Sequence, residues 1–148
     1  ADNFSKNSES ILMSGETGLG KTHLSLAIAN EVIKKGYGVV YASAPPIISK
    51  LEKEYFSSDK DDSLFSMLAD CDLLIIDDLG TEFYSQFAVS QFYNLFNSRM
   101  LSNKPIIINT NLTITELKEK YTDRFVSRIC GNARQLDFLG RDIRIRRK

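Results

Sequence analysis

The chain has 148 residues, 43% hydrophobic and 26% charged, the composition of one globular domain long enough to bury a core. Nineteen Lys and Arg balance nineteen Asp and Glu, so the net field selects neither an acidic nor a basic partner. No apolar run approaches a membrane span, no basic-then-apolar stretch opens the chain, and one histidine with two unpaired-spacing cysteines argues against zinc.

Cys71 and Cys130 are expected to be buried thiols in a reducing cytoplasm. Charge is uneven along the chain. From Glu52 to Asp62 five acids face two lysines, and from Arg124 to Lys148 eight basic residues face two aspartates; such a run is either a solvated face or a partner surface. Because the chain starts at Ala1 rather than Met and ends on a basic segment, residues 1–148 are expected to be one domain cut from the C-terminal part of a longer protein.

Residues 1–10 are polar apart from Phe4, expected to pack near the first strand or the nucleotide edge. Ile11-Leu12-Met13 centres a strand over 10–14. There follows Gly15-Glu16-Thr17-Gly18-Leu19-Gly20-Lys21-Thr22, which meets the phosphate-loop pattern G-x-x-x-x-G-K-[ST] at every fixed position. The glycines let successive backbone N–H groups turn toward phosphate oxygens at the positive end of a helix. Lys21 would reach the β- and γ-phosphates and the Thr22 hydroxyl would ligate Mg²⁺. Residues 22–35 read as that helix, with Leu24, Ala27, Ile28 and Val32 at helical spacing and Gly36 as a left-handed stop. His23, in its first turn, is either a nucleotide contact or an ordinary helix-surface residue.

Residues 37–42 read as a second strand ended by Ser43 and Pro45-Pro46. Short helices over 47–56 and 64–69 flank a polar loop. Residues 72–77 form a nearly continuous apolar run, as in a strand buried on both faces of a parallel sheet. After a turn at Gly80, a long helix over 85–101 carries Phe87, Phe92, Leu95, Phe96 and Arg99. A fourth strand spans 106–109, and Thr113 with Glu116 forms a capping box opening a helix over 113–121. A helix over 123–130, ended by Gly131, leads to a fifth strand over 134–138. Strands alternating with helices predict a doubly wound α/β fold, with a mostly parallel sheet and ligand at the carboxyl ends of its strands.

Three further positions bear on that ligand. Leu73-Leu74-Ile75-Ile76-Asp77-Asp78 is a Walker B pattern: Asp77 would hold Mg²⁺, and Asp78 would orient the attacking water unless the pair simply caps the strand. Asn109-Thr110-Asn111 ends the fourth strand, where an amide can report an intact γ-phosphate or serve as turn material. Arg128 is either a surface residue or an arginine supplied across a subunit interface to stabilise phosphoryl-transfer charge.

Taken in order, GETGLGKT, LLIIDDLGTE, PIIINTNLT and RFVSRICGNARQLDFLGRDIR resemble the AAA+ ATPases of the bacterial DnaC/DnaI helicase-loader group and the related IstB transposition helpers. The resemblance spans nearly the whole chain. It implies a P-loop NTPase fold, an AAA+ core with sheet order 5-1-4-3-2 and helices on both faces, ATP and Mg²⁺ as cofactors, and ATP hydrolysis, which the short Asp78 carboxylate would make slow. It implies Lys21 and Thr22 as Walker A, Asp77 and Asp78 as Walker B, Asn111 as sensor I, and Arg128 as a finger acting on a neighbour's ATP in a homo-oligomer. The implied partners are a replicative DNA helicase and single-stranded DNA.

Two departures from that pattern matter. Asp78 stands where a longer catalytic glutamate is usual, leaving Glu82 as an alternative base. The helical lid is reduced or absent, so Arg141 or Arg144 would have to serve as sensor II. For DNA, the aromatics Tyr55 and Phe56, and Phe83, Tyr84 and Phe87, lie where the loaders contact it, with core packing as the alternative for each. A non-hydrolysing adaptor and a small-molecule kinase are the other readings of the loop.

Overall fold

A computed structural model describes residues 9–16, 18, 20–57, 62–81 and 85–138. Five strands, β1 (Ser10–Gly15), β2 (Val39–Ser43), β3 (Leu73–Leu79), β4 (Ile106–Thr110) and β5 (Ala133–Phe138), form one sheet in the order β2-β3-β4-β1-β5. Every pairing is parallel, and the order matches the expected 5-1-4-3-2. The helices are α1 (Lys21–Lys34), α2 (Ala44–Tyr55), α3 (Ser63–Asp70), α4 (Gln86–Leu101), α5 (Ile114–Lys120) and α6 (Asp123–Asn132). Phe4, Thr17, Leu19, Glu82, Phe83, Tyr84, Arg141 and Arg144 lie outside the described residues.

Alternation along the buried strands divides the core into two layers. On one face Met13, Leu73, Ile75 and Ile107 pack against Ala29 and Val32 of α1; on the other Leu12, Leu74, Ile76, Ile106 and Ile108 meet α2 to α6. In β3 every residue except Asp78 is buried, as expected for a central strand covered on both sides. Among the described residues no helix is long and apolar enough to cross a membrane.

Several local expectations are corrected. The buried stripe of α1 is Lys21, Ser25, Ala29 and Val32, whereas Leu24 is 38% exposed and Ala27 faces outward. The loop turns Lys21 inward, and small Ser25 and Ala29 then allow close approach to the sheet. Pro45-Pro46 does not lie between strand and helix but in the first turn of α2, where a missing N–H has no partner to lose. Tyr37 precedes β2, which begins at Val39. Gly131 does not end α6, which runs on to Asn132. Gly36 does stop α1, at φ +91°. Cys71 and Cys130 are half-buried rather than buried, and both are free.

Candidate active site

The carboxyl ends of β1, β3 and β4 bring the motif residues together. Gly15, Gly18 and Gly20 all adopt positive φ, at 142°, 87° and 97°, conformations that a Cβ would strain. Gly20 is the N-cap of α1, which has no side-chain cap and no acid in its first turn. Its first N–H groups thus face the loop beside the positive helix end, a donor set suited to phosphate.

Lys21 is 7% exposed, and its ammonium donates to the Gly15 carbonyl at 2.5 Å and the Glu16 carbonyl at 2.9 Å. Burial pushes its pKa down, opposed by the charges of Asp77 and Asp78. The two Walker motifs touch directly: Thr22 Oγ1 donates to Asp77 Oδ2 at 2.9 Å. Asp77 is buried at 5% exposure, and its Oδ1 accepts from the Asp78 N–H at 3.0 Å. Tyr41 on β2 donates its hydroxyl to Asp77 Oδ2 as well. Burial, first, and then the Asp77 hydrogen bond and the nearby negative charges push the Tyr41 phenol well above its ordinary pKa.

Two adjacent strand residues ordinarily point to opposite faces. Here β3 bulges: from Ile76 to Leu79 it takes three steps while β4 takes two, from Ile108 to Thr110. Asp78 lies in the bulge at φ +57°, and its exposed carboxylate accepts a long hydrogen bond from Ser43 Oγ at 3.4 Å. The bulge releases the strict alternation, so Asp78 reaches the strand-end surface while Asp77 faces α1. Around it the turn is fixed by Thr110 Oγ1 donating to the Leu79 carbonyl, Thr81 Oγ1 to the Asp78 carbonyl and Lys120 Nζ to the Gly80 carbonyl.

Asn111 is exposed just beyond β4 and, with Ser14, Gly15 and Glu16, lines an open cleft of about 540 Å³. Its neighbour Asn109 points inward: Nδ2 donates to Ser25 Oγ at 2.8 Å, and Ser25 in turn donates to the Lys21 carbonyl. That chain ties β4 to the first turn of α1. On the other side of the loop Ser14 donates to Asp137 at 2.8 Å. His23 is exposed on α1.

Arg128 is half-buried on α6, a helix packed against β1, β5, α4 and α5. It does not line the cleft beside the loop. Tyr55 and Phe56 are 59% and 70% exposed. With half-buried Phe87 they form an aromatic cluster, centroids 4.9 to 5.8 Å apart, remote from the core role weighed for Tyr55.

Sequence reasoning missed Tyr41, Ser25 and the Ser14–Asp137 pair, and it singled out Asn109 only as part of Asn109-Thr110-Asn111, not as the buried partner of Ser25. The signal for Tyr41 was its place two residues before Ser43, which the β2–β3 register sets opposite Asp77, but register is not readable from spacing within one strand.

The donors present fit Mg²⁺: one hydroxyl and one carboxylate suit a cation that keeps waters and phosphate oxygens for its remaining positions. Among the described residues no group of three or more His, Cys, Asp or Glu converges on a metal position.

The replicative helicase loader DnaC of Escherichia coli K12 is 28% identical over 134 residues, covering 89% of this chain and 55% of that protein, so the chain spans about half the length of the curated relatives it matches. A structure of the replication initiator DnaA bound to AMPPCP and single-stranded DNA superposes with TM-score 0.81 at 28% identity, over 95% of this chain and 43% of that one. A crystal structure of the DnaC helicase loader shares the fold with TM-score 0.79 at 24% identity, over 88% and 78%. The profile of the IstB-like ATP binding protein family matches residues 1–148; with the phosphate loop, the Walker B bulge and the all-parallel sheet in place, the chain belongs to that family of P-loop AAA+ domains.

Proposed function

We propose that the chain is an ATP-hydrolysing module that loads a replicative helicase onto single-stranded DNA, assembling with copies of itself through ATP at subunit interfaces. The observation that carries the nucleotide part is the 2.9 Å hydrogen bond from Thr22 to Asp77 beside buried Lys21. It joins the hydroxyl and carboxylate that would hold Mg²⁺, which when bound neutralises charge between the β- and γ-phosphates. Lys21 would exchange the Gly15 and Glu16 carbonyls for phosphate oxygens, while the glycine loop and the start of α1 supply backbone donors. Asp78, on the bulge, orients the attacking water; being a short carboxylate, it supports slow turnover. Asn111 borders the cleft next to the loop and reads the γ-phosphate. Arg128 serves the neighbour's ATP.

The helicase partner is inferred from similarity to helicase loaders, and single-stranded DNA also from the exposed rings of Tyr55 and Phe56, whose faces suit base stacking; half-buried Phe87 supports them from the core. Of the two acids of α2, Glu52 and Glu54, the second is turned toward α3. Glu54 Oε1 is engaged by the Ser63 hydroxyl and the Leu64 N–H at the start of α3. The family match favours a second reading, a transposition helper that acts with a transposase on duplex DNA.

Phosphate release from ATP, measured with and without single-stranded DNA, tests the enzyme assignment. Turnover is expected in the wild type and lost in Lys21→Ala; nucleotide binding without any turnover would make the chain an ATP-switched adaptor. A helicase recovered with the protein supports the loader reading, and a transposase recovered in its place supports the second.

A further inference from the structure

Tyr41 is not part of any phosphate-loop or Walker pattern, yet it reaches the centre of the site. It stands on the edge strand β2, paired with Ile75, on the same face as Asp77 two residues further along β3. Its side chain is partly in water, 44% exposed, where a phenol satisfies its hydroxyl without protein help. Instead the hydroxyl turns inward to Asp77 Oδ2.

Asp77 thereby receives three donors from three separate segments: Thr22 from α1, Tyr41 from β2 and the Asp78 N–H from the bulge. The terminal torsion of an aspartate is soft and broad, so a carboxylate fixed by few donors can rotate its plane. Thr22 holds only one oxygen, and its own oxygen must face the cation. The Asp78 N–H holds the other oxygen from within the same strand. Tyr41 donates to the same Oδ2 as Thr22, from β2 across the sheet edge, so that oxygen keeps a donor that is not itself committed to the cation. Groups that hydrogen-bond a ligating carboxylate set metal affinity without touching the metal.

We propose that Tyr41 is a positioning residue for the cation site, fixing the plane of the Asp77 carboxylate so that Asp77 and Thr22 face Mg²⁺ together. The inference rests on the Mg²⁺–ATP reading above. It also gives the edge strand a function: displacement of β2 would weaken cation binding with no change in the phosphate loop.

Fluorescent N-methylanthraniloyl-ATP binding tests it, with wild type and Tyr41→Phe titrated in EDTA and then with Mg²⁺ at fixed nucleotide. Phenylalanine keeps the ring on β2 and removes only the donor. The Mg²⁺ midpoint is expected to rise about tenfold, the scale of losing a carboxylate's supporting hydrogen bond, while affinity in EDTA stays within about twofold because the loop is untouched. An unchanged Mg²⁺ midpoint overturns the proposal. So does a lowered midpoint, which would make the hydroxyl a competitor for Asp77, and so does an equal loss in EDTA, which would place the effect in folding of β2. Wild-type protein that binds no nucleotide in either condition would sink the ATP-site reading itself, independently of the variant.

Discussion

Arg99 is wholly buried, and its guanidinium is bonded to backbone carbonyls rather than to a carboxylate. Nη1 donates to the carbonyls of Leu68, Ala69 and Cys71 at 2.8 to 3.1 Å, and Nη2 to those of Asp72 and Pro105 at 3.2 and 2.7 Å. The first two close the last turn of α3, whose carbonyls have no helical partner, and a cation is favourable at that end of the dipole. The others fix the approaches to β3, which carries Asp77, and to β4, which leads into Asn111. Burial lowers the Arg99 pKa, and Cys71, ahead of Asp72 and Asp70, opposes that shift only in part. Arg99→Met fills similar space and leaves those carbonyls unpaired; a loss of about 3 kcal/mol or more is expected in urea unfolding, on the scale of several charge-assisted bonds. A loss below about 1 kcal/mol would mean that water replaces the guanidinium. In sequence Arg99 was only one more position on a long helix, because the five carbonyls it joins come from segments about 30 residues away as well as from its own vicinity, and backbone groups leave no trace in residue type.

At the level of elements, what was legible depended on how local the cause was. The glycine loop, the capping box of α5 and the stop at Gly36 are each set by residues within a few positions, and all stand as read. The facing of α1 was misread because its orientation is fixed by Lys21 entering the site, a tertiary demand that overrides the apolar spacing of Leu24 and Ala27. The bulge in β3 was hidden for the same reason: a parallel neighbour's register, not the Asp77-Asp78 pair, shows the extra residue. Gly131 gives the cleanest test of such a correction. A glycine after a helix needs left-handed φ, where alanine is costly, whereas Gly131 lies within α6, lacks a positive φ, and has nothing within 4 Å of the place a Cβ would occupy. Gly131→Ala should therefore stabilise the chain by about 0.5 to 1 kcal/mol through the lower entropy of its unfolded state. Thermal unfolding checks the sign; a destabilised variant would restore the helix-stop reading.

For the whole molecule, the placement of Arg128 bears on how the proposed site is completed. The loop, Asp77, Asp78 and Asn111 gather at the carboxyl ends of β1, β3 and β4, while Arg128 is carried by α6 on the opposite face from α1. Within its guanidinium, Nε is buried without a hydrogen-bond partner among the described residues, a donor that its own chain leaves unused there. The order of the motifs made this arrangement legible in outline, but whether one chain or two complete the site is a property of surfaces, which spacing does not encode. If Arg128 acts on the neighbour's ATP, Arg128→Ala keeps nucleotide affinity and loses turnover, and Lys21→Ala also loses turnover but supplies an intact Arg128. Mixed in equal amounts, the two inactive variants form interfaces in which one chain's intact loop meets the other's intact arginine. By random pairing roughly a quarter of interfaces are of that kind, and recovery of about a quarter of wild-type turnover is expected. The same mixture also discriminates the alternatives: an Arg128 that acted within its own chain would give no recovery at any ratio, and a surface Arg128 would leave its variant fully active before mixing.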